Sequence, residues 1–160
     1  MSALPLTLNG PEKRTYYLHA GRLFVSAEPA IVTTILGSCI AVCIWDERIG
    51  AGGINHFLLP RRIGLGHASA GFGTLSTNEL IDRLVTLGAS STRMRAKVFG
   101  GASMMGADGG VQSVGSQNAE VAIEILRERH ITVVASSVGG SRGRKVVFHT
   151  DTGETLVKVI

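Results

Sequence analysis

Apolar residues in this chain fall mostly in short runs punctuated by glycine, and in two places they take up the three-to-four spacing of a helix. Ile31 to Leu36 and Cys39 to Trp45 are rich in Ile, Val and Thr and flank Gly37-Ser38. β-Branched and aromatic side chains favour a pleated, buried surface, so the two runs read as consecutive buried strands joined by a tight corner. Tyr16 to Ala20 and Arg22 to Ser26 are shorter β-like runs around Gly21, and Ala51 to Leu59 is a further strand closed by Pro60. Met94 to Phe99, Ile131 to Ser136, Arg144 to His149 and Glu154 to Ile160 complete the strands, with Asp151-Thr152-Gly153 turning the last two into a hairpin.

The first helix is predicted from Ser76-Thr77-Asn78-Glu79, a Ser-x-x-Glu capping box, followed by Leu80, Ile81, Leu84 and Val85 on one face and closed by Gly88. A second helix, about Ser116 to Arg129, sets Val121, Ala122, Ile125 and Leu126 together, while Arg61 to Thr74 is a Gly-rich loop without an apolar period. Strands outnumber helices and do not alternate with them regularly, so the pattern predicts α+β layers rather than a parallel βαβ sheet.

Length refines this picture: 160 residues make one domain, since two would have about 80 residues each. The first 15 residues, with Pro5, Gly10 and Pro11, read as a loose arm. A hydrophobic content of 44% and a mean hydropathy of +0.26 exclude disorder as the main state. Sixteen basic against twelve acidic residues leave +4, too small an excess to indicate nucleic acid. The N-terminus lacks an apolar signal core. Ala30 to Trp45 is shorter than a membrane span of about 20 residues and is broken by Thr33, Thr34, Gly37 and Ser38. The expected compartment is the cytoplasm.

Chemistry is concentrated at the corner. Cys39 follows Leu36-Gly37-Ser38, where a thiol at the mouth of a strand can be exposed while backbone N–H groups face an incoming carbonyl. A free thiol is mostly protonated at neutral pH and needs a basic partner. His56, in the next predicted strand, can reach it across neighbouring strands. On spacing alone a small buried Cys39 with a satisfied core histidine is the commoner arrangement, since free cysteines are usually buried. Cys43, set in Ile40-Ala41-Val42-Cys43-Ile44-Trp45, reads as packing. The two cysteines on one strand stand roughly 13 Å apart, too far for a disulfide.

Other motifs carry less. Phe99 to Gly106 lacks the spacing of a phosphate-cradling loop and reads as a turn against the sheet. Gly139 to Lys145 gathers Arg142, Arg144 and Lys145, a run most simply read as a solvated hairpin end. The histidines show no ligand spacing, so neither a metal nor a cofactor is expected.

Thr33-Thr34-Ile35-Leu36-Gly37-Ser38-Cys39, Asp46 and Gly53-Ile54-Asn55-His56-Phe57-Leu58-Leu59-Pro60 together resemble the chemoreceptor glutamine deamidases of the CheD family. The resemblance continues in order through Gly100-Gly101-Ala102-Ser103-Met104, Gly115, Asn118, Gly139-Gly140-Ser141-Arg142-Gly143-Arg144-Lys145-Val146, Thr152-Gly153 and Val157-Lys158. It implies Cys39 as nucleophile, His56 as general acid/base and Thr33 as the residue orienting the imidazole. Gly37 and Ser38 would contribute to an oxyanion site, and Asn55 would meet substrate or fix its own turn. The implied reaction is hydrolysis of receptor glutamine to glutamate through a Cys thioester, a cysteine-dependent amidohydrolase activity, with glutamyl methyl esters as a second substrate. The implied partners are the cytoplasmic regions of methyl-accepting chemotaxis receptors and a CheC-type phosphatase, and regulation of that phosphatase is the competing, non-catalytic role. The implied architecture resembles the catalytic domain of cytotoxic necrotizing factors, with sheets face to face and helices outside. Ser137 departs from the acidic residue often found before the late glycine pair, and Gly71-Phe72-Gly73-Thr74 keeps an aromatic but not the polar residues around it.

Overall fold

The computed structural model describes residues 12–59, 72–103 and 113–160. In chain order the elements are β1 (Arg14–Tyr17), β2 (Leu23–Ser26), β3 (Ala30–Leu36), β4 (Ile40–Asp46), β5 (Ala51–Asn55), α1 (Gly73–Thr86), β6 (Arg95–Gly100), α2 (Val114–Glu128), β7 (Thr132–Val138), β8 (Arg144–His149) and β9 (Thr155–Val159). They form a four-stranded sheet, β1-β3-β8-β9, and a five-stranded sheet, β2-β5-β4-β6-β7. Both sheets are mixed, since β1 runs parallel to β3 and β7 parallel to β6 while the other pairs are antiparallel.

Both helices lie on one face of the five-stranded sheet, and the four-stranded sheet covers the other, giving the expected α+β layers. The reason is visible along β4, which is buried throughout. Successive side chains of a strand point to opposite faces. Ile40, Val42 and Ile44 therefore join Leu80, Leu84, Val121 and Leu126 beneath the helices, while Ala41, Cys43 and Trp45 join Val32, Leu36, Val146 and Phe148 between the sheets.

β3 and β4 are consecutive, as their composition predicts, but they belong to different sheets. Gly37-Ser38-Cys39 carries the chain from one sheet to the other, and β3 pairs with β8, more than a hundred residues away.

The capping box does not form. α1 begins a turn earlier, where Gly73 N–H donates to Leu59 O at 2.7 Å, and Ser76 is buried inside the helix with no partner for its Oγ among the described residues. The predicted end holds, with Gly88 at φ 108° and Ala89 N–H reaching back to Leu84 O. Ser113 caps α2 by accepting from Ser116 N–H. Of the expected arm, residues 1–11 lie outside the described residues, while Arg14 and Thr15 belong to β1 and Lys13 pairs with Asp151 at 2.8 Å. Pro60 to Gly71 and Met104 to Gln112, which include most of the Gly-rich loop, lie outside the described residues.

Candidate active site

Beyond Asn55 the β4/β5 pairing continues as a bridge in which Ile40 and Phe57 exchange backbone hydrogen bonds at 3.1 and 2.9 Å. This register sets His56 opposite Ala41 and makes Cys39 its diagonal neighbour. Both side chains turn to the face between the two sheets, where Cys39 packs against the inter-sheet core and His56 meets β3. Cys39 is partly exposed and Cys43 fully buried, and neither is in a disulfide. Among the described residues no hydrogen bond joins the Cys39 thiol to the His56 imidazole.

The imidazole is held by Thr34, not Thr33. Thr34 Oγ1 lies 2.7 Å from His56 Nδ1 and also 2.7 Å from the Leu18 carbonyl oxygen. A hydroxyl has a single proton, and a carbonyl can only accept. The Thr34 proton therefore goes to Leu18, so Thr34 must accept from Nδ1–H, leaving His56 Nε2 as an unprotonated base. Thr33 sits one step out of phase on β3, and its carbonyl accepts from Leu18 N–H.

Asn55 is also placed differently from its expected substrate-contacting role. Its side chain is fully buried on the helix-facing side, where Oδ1 accepts from Val42 N–H at 2.8 Å and Nδ2 donates to Thr77 Oγ1 at 3.2 Å. A strand alternates its faces, so the residue before His56 points away from the thiol. Asn55 props the strand pair from behind.

The corner itself is fixed through its carbonyls. Ala102 N–H donates to Gly37 O at 3.0 Å, Asn118 Nδ2 to Ser38 O at 2.9 Å and Gly101 N–H to Cys39 O at 2.9 Å. Asn118 also donates to Leu58 O at 3.1 Å, tying the Cys39 corner to the segment after His56. Among the described residues no acceptor meets the N–H groups of Ser38 and Cys39. Close approach demands glycine at Gly100, which has φ 110° and where a Cβ would come within 2.1 Å of Cys39 O.

Two further residues, Asn118 and Arg144, anchor the corner from outside the expected set of Cys39, His56, Thr33, Gly37, Ser38 and Asn55. The signal for Asn118 was legible: a polar residue in register with Val121, Ala122 and Ile125 on the buried stripe of α2. Arg144 was expected at a solvated hairpin end, but it is only 8% exposed, with its guanidinium donating to Ser137 Oγ, Gly100 O and Gly139 O. Asp46, by contrast, lies at the far end of β4, where its buried carboxylate pairs with Arg93 at 2.9 Å.

The family model for CheD, described as chemotactic sensory transduction, matches residues 58–159. A relative from Anaeromyxobacter dehalogenans named "Probable chemoreceptor glutamine deamidase CheD 1" is 44% identical over 95% of this chain and 88% of its own length. One from Trichlorobacter lovleyi, named "Probable chemoreceptor glutamine deamidase CheD", is 41% identical over 93% and 92%. The chain belongs to the CheD family. A solved Neisseria meningitidis protein of the DUF152 family is 11% identical, with a TM-score of 0.43 over 91% of this chain and 78% of that one.

In this CheD chain, motifs scattered over a hundred residues converge on one place. Gly100 to Ser103, Asn118, Gly139, Gly140 and Arg144 all contact the corner or one another through backbone hydrogen bonds, directly or by a single side chain. The titrating groups are set by burial. It lowers His56 to a pKa of about 4 and raises the Cys39 thiol above its ordinary value. Cys43 is raised further by complete burial, slightly offset by the Lys97 ammonium. The resting pair is thus a neutral thiol and a neutral imidazole. Among the described residues no three His, Cys, Asp or Glu side chains converge to hold a metal, and no helix is long and apolar enough to cross a membrane.

Proposed function

We propose that this CheD chain is a cysteine-dependent amidohydrolase that converts glutamines of chemoreceptor cytoplasmic regions to glutamate. The observation that carries the reading is the pairing of a partly exposed Cys39 with an imidazole whose Nδ1 proton is committed to Thr34. Its support from kinship is the deamidase name borne by relatives aligned over nearly the whole chain.

Because burial keeps both groups neutral, the thiol is deprotonated as it attacks rather than beforehand. Sγ bonds to the carboxamide carbon while its proton passes to His56 Nε2, and the carbonyl oxygen becomes an oxyanion facing the Ser38 and Cys39 N–H groups. The C–N bond then breaks, with His56 returning the proton to the departing nitrogen, so ammonia leaves and a thioester remains. Water attacks the thioester, giving a proton to Nε2. The C–S bond breaks to release glutamate, and the thiol recovers its proton. A glutamyl methyl ester follows the same route with methanol as leaving group.

The test is incubation with a chemoreceptor cytoplasmic fragment, with Gln-to-Glu conversion mapped by peptide mass spectrometry beside Cys39→Ala and His56→Ala. Conversion at defined sites that both variants abolish is the expected result. An inactive native chain with a well-folded receptor fragment would overturn the reading and turn attention to binding of a CheC-type phosphatase.

A further inference from the structure

A guanidinium taken out of water is costly unless a carboxylate meets it, and among the described residues none meets Arg144. Its three acceptors are neutral: Ser137 Oγ at 3.0 Å from Nε, Gly100 O at 3.1 Å from Nη1 and Gly139 O at 2.8 Å from Nη2. Burial pulls its pKa down from the ordinary arginine value. An arginine nevertheless remains charged at neutral pH, and its planar fork spreads donors over three separate nitrogens, one to each acceptor.

What the fork grips is one bond away from the nucleophile's backbone. The Gly100–Gly101 peptide presents its carbonyl to Arg144 and to Gly139 N–H, and its own N–H to Cys39 O at 2.9 Å. In a planar trans peptide those two groups point in opposite directions, so drawing on the carbonyl both aims and polarises the N–H. Directly after it, Ala102 N–H takes Gly37 O, and Ser103 N–H takes Gly140 O. The segment from 100 to 103 is therefore clamped between the Cys39 corner and the loop after β7, with Arg144 as the side chain that closes the clamp.

We infer that Arg144 is a positioning residue for Cys39: through the Gly100–Gly101 peptide it holds the Cys39 carbonyl back, so that the N–H groups of the corner, not its carbonyls, face the sulfur and the developing oxyanion. The inference rests on the reading of Cys39 as the nucleophile. Losing the fork lets a carbonyl dipole turn toward the sulfur, which disfavours the thiolate.

The pH dependence of iodoacetamide alkylation tests this in the intact chain and needs no receptor. Cys43 is fully buried, so the label reports Cys39, with Cys39→Ala as the blank. Arg144→Lys keeps the charge and loses the fork. It is expected to move the alkylation limb up by about one pH unit, which is tenfold less thiolate at a given pH, and to lower kcat on the receptor fragment more than it raises KM. Ser137→Ala removes one acceptor without disturbing a buried charge and moves the limb the same way by less. It decides the matter should the lysine variant not fold. A limb that stays with the native one in the folded variants overturns the inference, even if their melting temperature falls. A moved limb in a chain whose native form converts no receptor glutamine would leave the positioning role standing and remove the deamidase reading instead.

Discussion

Thr34 accepts a hydrogen bond from His56 Nδ1 only because it gives its own proton to the Leu18 carbonyl. The tautomer of the imidazole is thereby set by a backbone oxygen two contacts away. Thr34→Val removes the acceptor and frees the ring to hold its proton on either nitrogen. A positioned general base contributes about 10²–10⁴-fold, and a ring only partly in the wrong tautomer should lose up to roughly a hundredfold of that in kcat. Thr34→Ser should retain most activity, and Thr33→Val should lose far less than Thr34→Val. Steady-state deamidation kinetics on the three variants check the ranking, and equal losses at positions 33 and 34 would refute it.

The depressed pKa of His56 has a consequence for stability. The unfolded chain takes up this proton near pH 6.5 and the folded chain only near 4, so between those values the unfolded state binds more protons. Stability is complete above the unfolded value and falls as the pH drops toward 4, by about 3 kcal/mol in all. Urea unfolding between about pH 7 and about pH 4.5 should show this loss in the native chain and much less of it in His56→Gln. Parallel profiles for the two proteins would count against it.

Asn118 holds two carbonyls with one amide, Ser38 O on the corner and Leu58 O beyond His56, while its own Oδ1 lacks a partner among the described residues. Asn118→Leu removes the donor to both part-buried oxygens, and with water able to reach Leu58 O the loss should be about 1–3 kcal/mol, mostly from Ser38 O. Asn118→Asp turns an oxygen toward them and costs more. Chemical denaturation gives the stability order native, Leu, Asp. Deamidation should fall in both variants beyond any loss of folded protein.

How much of this could be read in advance depends on distance along the chain. β3 and β4 were legible because Ile, Val and Thr crowd each run, and the Cys39 corner because glycine and serine interrupt them. The phase of β3 was not. Ile31, Thr33 and Ile35 make as good an apolar face as Val32, Thr34 and Leu36, and only the packing against β8 and Leu18 decides that the second set points inward. Arg144 looked solvated because its neighbours are glycines and cations. Its acceptors at 100, 137 and 139 belong to other elements, and no local rule joins them. Ser76 misled for the opposite reason, since a local signal was overridden by Leu59 O capturing the N–H of Gly73.

The passage of the chain from one sheet to the other at Gly37-Ser38-Cys39 also ties chemistry to folding. The corner has its shape only when β3 has found β8 and β4 lies between β5 and β6, pairings that span most of the chain. The β4/β5 pairing alone sets His56 beside Cys39, but the Thr34 contact needs β3, and the Gly101 and Ala102 contacts need β6 in place. The geometry of the corner is therefore a property of the assembled fold and not of any single segment of the chain.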